Sequence, residues 1–175
     1  RSSDLLDLSE GISAQFQIGG GSKWLLSDQN FLRFYARYHH GFPLGPNASL
    51  LLRGELGMTV APSREGIPQD FLFRAGGSNS VRGYAYQSLG VKEGTAIVGG
   101  RYLATMSAEY TYWLDPKWGV ATFVDAGQAA DDRRGLRDLS VGYGLGARWR
   151  SPAGGGSASS NTSSTLSVMP RSASV

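Results

Sequence analysis

Leu139-Ser140-Val141-Gly142-Tyr143-Gly144-Leu145-Gly146-Ala147-Arg148-Trp149-Arg150 alternates without a break. Successive side chains of a β-strand point to opposite faces. One face of this run therefore carries Leu139, Val141, Tyr143, Leu145, Ala147 and Trp149, and the other Ser140, Gly142, Gly144, Gly146, Arg148 and Arg150. The run is about twice the ~5–6 residues usual for a globular strand and long enough for the ~9–11 that a tilted strand needs to cross a bilayer. Five further runs repeat the pattern, so the expected strands are about 11–20, 31–42, 49–61, 101–114, 118–129 and 139–151.

Alternation alone fits a half-buried soluble sheet as well as a membrane barrel. Run length and connections decide for the barrel. The connections alternate between short turns at Pro43–Asn47 and Asp115–Lys117 and longer segments, of which 62–100 is by far the longest. Short turns on one side and long loops on the other are the mark of outer-membrane barrels. Phe42, Tyr112, Trp118 and Trp149 share the outward phase beside the short turns, where an aromatic girdle belongs. The expected fold is all-β, a transmembrane antiparallel β-barrel over residues 1–154, seen here as about six strands with one long infolding loop. Six strands fall short of the ~8 of the smallest membrane barrels, so a fragment, or a chain needing partner strands, is expected.

Composition agrees. Charged residues make up 18%, below the roughly 25% of soluble domains, as expected where lipid replaces water. No run approaches the ~20 apolar residues of a membrane helix, and Arg1-Ser2-Ser3-Asp4 carries no apolar signal core. The absence of cysteine rules out disulfide scaffolds and thiol chemistry. A net charge of +3 without a basic cluster argues against nucleic acid as a partner.

The long loop contains Phe73-Arg74-Ala75-Gly76-Gly77-Ser78-Asn79-Ser80-Val81-Arg82-Gly83-Tyr84, and the fifth run contains Phe123-Val124-Asp125-Ala126-Gly127. Together they resemble the VRGY loop motif and the F-x-D-x-G strand motif of the outer-membrane insertase superfamily, whose branches include BamA and TamA. The lead-in to Val81, the stretch Leu52-Arg53-Gly54-Glu55-Leu56-Gly57 and the stretch Ala108-Glu109-Tyr110 look most like the TamA branch. The resemblance covers about Gly11 to Gly154 and combines two motifs in the family's order.

The resemblance implies a sixteen-stranded barrel in the cell outer membrane, in which these runs are strands nine to fourteen. It further implies a loop folded into the lumen, with Val81, Arg82, Gly83 and Tyr84 as its motif and Phe123, Asp125 and Gly127 as the motif of the wall. Glu109 and Asp125 fall in the lumenal phase of neighbouring strands, so Asp125 is expected to receive Arg82, with Glu109 as second partner. A guanidinium fork reading a carboxylate gives a directional anchor. Implied as well are POTRA domains and eight strands upstream, two strands downstream, a TamB-like inner-membrane partner and clients that are β-barrel proteins or autotransporters. The implied activity is non-enzymatic assembly or translocation, without cofactor. Two other readings share the barrel: the export module of a patatin-like lipase, and a two-partner secretion transporter. From Gly155 to Val175 the composition turns to Ser and Gly, departs from the family pattern and is expected to be disordered like a flexible linker.

Other constellations carry no chemistry on this reading. Gly142, Gly144 and Gly146 lie inside a strand with no helix following, so they are expected to let the wall bend or a loop approach rather than cradle phosphate. His39 and His40 point to opposite faces and cannot share a metal from adjacent positions. No serine sits in a G-x-S-x-G elbow. Asp131-Asp132-Arg133-Arg134 reads as a solvated loop.

Overall fold

The computed structural model describes residues 11–21, 30–149 and 165–167. The chain is all-β. Seven strands form one sheet of antiparallel neighbours: β1 (Gly11–Gly21), β2 (Phe31–Pro43), β3 (Ala48–Val60), β6 (Tyr102–Trp113), β7 (Trp118–Ala130), β8 (Ser140–Trp149) and β9 (Thr165–Ser167). Two short strands inside the long loop, β4 (Val91–Glu93) and β5 (Ala96–Val98), make a separate hairpin. The loop is therefore partly ordered by its own ladder, and short 3₁₀ turns stand at Gln69–Phe71 and Gly135–Arg137.

The two faces of the sheet differ as the alternation requires. On β6, Leu103, Thr105, Ser107, Glu109 and Thr111 are buried, whereas Met106, Tyr110 and Tyr112 are exposed. On β7, Ala121, Phe123 and Asp125 are buried while Trp118, Val120 and Val124 are exposed. An apolar face left open beside a polar covered one is the inverse of a soluble sheet and is what a lipid-facing wall needs. Trp118 and Trp149 are directly paired at the short-turn end of β7 and β8, their ring centroids 6.4 Å apart. The turn before Trp118 is held by Asp115, whose carboxylate accepts the N–H groups of Lys117 and Trp118 at 2.7 and 2.8 Å. Those two bonds, Lys117 first, hold the Asp115 carboxyl below its ordinary pKa.

The covered face is roofed by the loop between β3 and β6. Phe73 and Gly100 exchange backbone hydrogen bonds of 2.8 Å, and Ala75 and Leu89 bonds of 2.7 and 2.9 Å, so the loop goes in and comes back as an antiparallel pair. Phe73 and Ala75 pack on Leu103 and Ala129 of the wall, with Tyr35 and Leu89 against them. The Phe73 ring lies where a Cβ on Gly57 would stand, 2.6 Å away, so glycine at this wall position admits the ring. A second cluster of Phe31, Ile67 and Leu72, joined by Phe71, closes the outer end.

Within the 155–175 tail, Thr165–Ser167 pairs antiparallel with Gly144–Gly146 along the edge of β8, an edge that offers N–H and C=O groups to pair. The rest of that tail lies outside the described residues. In the loop read as solvated, Asp132, Arg133 and Arg134 are exposed, while Asp131 is half-buried: it accepts Arg101 Nε at 2.9 Å and lies 3.5 Å from Arg64. The ends of β3, β6 and β7 converge at the loop's root, which brings those cations to it.

Candidate functional site: the loop tip on the lumenal wall

The site begins with register. Direct pairings across β2, β3, β6, β7 and β8 set His39, Arg53, Ser107, Asp125 and Gly142 in one transverse row on the covered face. Glu109 and Phe123 sit opposite one another in the adjacent row. The sheet thus gathers, from five strands, a polar patch that no single stretch of sequence contains.

Onto this patch the loop lowers its tip. Ser80 N–H bonds to Gly77 O at 3.1 Å, and Gly77 N–H bonds to Val81 O and Tyr84 O at 3.2 and 3.1 Å. That tight turn projects Val81 and Arg82 at the wall. Val81 is fully buried. The Arg82 carbonyl lies so close to Gly142 that a Cβ there would stand 2.0 Å from its oxygen, which leaves room for glycine alone. Gly142 thus receives the loop, whereas a Cβ at Gly146 would meet nothing within 4 Å.

Arg82 uses nearly every donor it has. Its Nε and Nη2 reach Asp125 Oδ2 and Oδ1 at 2.7 and 2.8 Å, a two-pronged fork, while its own backbone N–H bonds to Asp125 Oδ2 at 3.0 Å. Nη1 donates to Glu109, and Nη2 also reaches Ser107 Oγ at 3.2 Å. The guanidinium lies over the Phe123 ring, 3.6 Å from its centroid. Glu109 takes a second cation, Arg148 of β8, on its other oxygen. Asp125 is 0% exposed and the Glu109 side chain 5%, so both charges depend on these partners. Taking one partner from such a buried pair costs about 3–5 kcal/mol. Of the other motif residues, Tyr84 reaches the Val141 carbonyl through its hydroxyl at 3.4 Å, and Gly83 turns the chain away with φ of 92°. Gly127 lies under Val81, whose Cγ2 is 2.8 Å from where its Cβ would be.

Three participants were not among the candidate residues: Ser107, Arg148 and Arg53. Arg53 Nη2 bonds to Ser107 Oγ at 3.0 Å. Each stands in the lumenal phase of its strand, a visible signal, but the register that makes them neighbours of Asp125 is not. The loop's root has a second grip. Arg101 donates to Asp131 Oδ1, to Asp131 O at 3.0 Å and to Ala61 O at 2.7 Å, and Arg64 bridges Asp131 and Glu93.

Such an arrangement is a mechanical one. It pins a long loop to the inner wall by a buried ion cluster.

Comparison with known proteins agrees with the geometry. The chain is 28% identical over 145 residues to the outer membrane protein assembly factor BamA of Nitratidesulfovibrio vulgaris, covering 79% of this chain and 18% of that protein. Its fold resembles the crystal structure of BamA from Haemophilus ducreyi lacking POTRA domains 1–3, with a TM-score of 0.68 and 20% identity, over 82% of this chain and 33% of that one. The chain thus spans less than a fifth of the first relative and a third of the second. Residues 4–159 match the Omp85 superfamily domain, and this chain, a β-barrel portion of the outer membrane, belongs to that superfamily.

Proposed function

We propose that this barrel portion serves a TamA-like assembly and translocation factor that helps insert or secrete other β-barrel proteins, autotransporters among them, without enzymatic chemistry or a cofactor. The observation that carries the reading is the loop tip clamped to the wall through Arg82, Asp125 and Glu109. A passive pore has no need of such a clamp, whereas a machine that strains its own seam needs the opposite wall held stiff. Val81, Arg82, Gly83 and Tyr84 form the clamp's movable half; Phe123, Asp125, Gly127 and Glu109 form its fixed half. The physical route is a weakly paired seam that disturbs outer-membrane lipid and offers strand edges to a client by β-augmentation. TamA-like character adds a TamB-like inner-membrane partner reached through POTRA domains.

The test is reconstitution of the full-length protein in liposomes with an unfolded client barrel, following the client's folded, heat-modifiable fraction over time. Client folding faster than in empty liposomes, and slowed by Arg82→Ala, is expected. Equal rates with and without the protein overturn the reading. Ester hydrolysis by the full-length protein would assign the barrel to lipase export instead.

A further inference from the structure

Three cations meet two carboxylates at the loop tip: Arg82, Arg148 and Arg53 against Asp125 and Glu109. Arg82 and Arg148 account for both carboxylates. Among the described residues, Arg53 has no carboxylate within ion-pair distance, and its Nε is buried with no hydrogen-bond partner. A half-buried cation whose buried Nε has no acceptor is costly where it stands, so its place calls for an explanation.

Its position supplies one. Arg53, Ser107 and Asp125 are consecutive in one row, so Arg53 and Asp125 are separated by a single intervening strand, with about 4.8 Å between each neighbour. Ser107 Oγ accepts Nη2 of Arg53 at 3.0 Å and Nη2 of Arg82 at 3.2 Å. A hydroxyl has two acceptor sites, and these two bonds fill them. The two guanidiniums therefore stand side by side on a shared oxygen, one bound to Asp125 and the other a hydrogen bond short of it.

We propose that Arg53 is a stand-in for Arg82: when the loop tip lifts, the Arg53 guanidinium moves past Ser107 onto Asp125 and Glu109. The wall then never holds two bare buried carboxylates, and release of the loop becomes reversible. The unmet Nε of Arg53 is the donor that finds its acceptor in the lifted state. This rests on the reading of a loop that is docked on the wall and releases from it.

A double-mutant cycle on the full-length protein in bilayers tests it, with the urea midpoint of barrel unfolding as readout. Arg53→Met alone should leave the midpoint nearly unchanged. Arg82→Ala should lower it moderately, and the double variant should lower it by more than the sum of the two. An additive double variant overturns the stand-in role. So does an Arg82→Ala barrel that fails to fold although Arg53 is present. In the Arg82→Ala background, Arg53→Lys should restore part of what Arg53→Met loses, and equal losses for both count against the proposal. A separate measurement isolates the underlying reading. The chain has no cysteine, so Val81→Cys with Gly127→Cys should form a disulfide only if the tip is docked. A disulfide together with an additive cycle removes the stand-in alone; no disulfide removes the docked loop.

Discussion

At its tip the long loop is held by a guanidinium whose two carboxylates are 0% and 5% exposed; at its root Arg101 and Arg64 grip an Asp131 whose side chain is 32% exposed. Both grips use the same chemistry, arginine on carboxylate. The surroundings make them different devices. Buried, the charges at the tip are screened little by salt and none can be left bare cheaply. Near water, the charges at the root gain little from each other, about 0–1 kcal/mol for an exposed pair, but they can part and re-form. The tip is built to hold and the root to guide, keeping the loop over its seat.

The sharpest way to break this comparison is Asp125→Asn. It removes the charge that receives the Arg82 fork and should lower the unfolding free energy by about 3–5 kcal/mol, read as a fall in the urea midpoint of the reconstituted barrel. A loss no larger than that of a root substitution would erase the distinction between the two grips. Gly142→Ala comes next: it drives a methyl group into the Arg82 carbonyl and should cost about 1–3 kcal/mol as an overpacking change. Faster protease cleavage within 62–100 is the readout. Gly146→Ala, where the added Cβ meets nothing within 4 Å, is the matched control on the same strand and should leave cleavage unchanged.

At the root, Asp131→Asn should cost about 1 kcal/mol and should matter less as salt rises from 0.1 to 1 M, over which the Debye length shrinks from about 10 to 3 Å. The penalty of Asp125→Asn should stay nearly constant over the same range, so measuring both in a salt series separates the grips directly. Glu93→Gln is the smallest effect. Its side chain is 49% exposed and pairs with Arg64, so the unfolding free energy should change by less than about 0.5 kcal/mol.

Much of this was legible before any coordinates. The period of two on β6 sorts Ser107 and Glu109 from Met106 and Tyr110, and the burial of these residues follows that sorting. The outward aromatics Tyr112, Trp118 and Trp149 announce themselves in the same way. Arg82 was marked as a candidate because the motif around it resembles a known family, and in the structure its Nε lies 2.7 Å from Asp125. Arg53, Ser107 and Arg148 were not marked, since nothing within their own strands distinguishes them from other lumenal residues. Asp132, Arg133 and Arg134 are exposed as four charged residues in a row suggest, but the ion pairs of Asp131 are not legible there, since its cations come from residues 30 and 67 positions away.

The division has a physical basis. Which side of each strand faces lipid is local information, because side chains alternate along any extended chain and lipid selects the apolar set. Strand length against bilayer thickness is local too, and so the sequence by itself determined an all-β membrane wall with one outsized loop. Which carboxylate meets which cation depends on inter-strand register and on where the loop lands. A slip of one residue would turn a strand's lumenal set toward lipid, and the Arg82–Asp125 contact spans 43 positions of the chain. Only the tertiary structure could decide that two adjacent rows of the sheet would gather two carboxylates beneath the loop tip, and set beside them a surplus arginine.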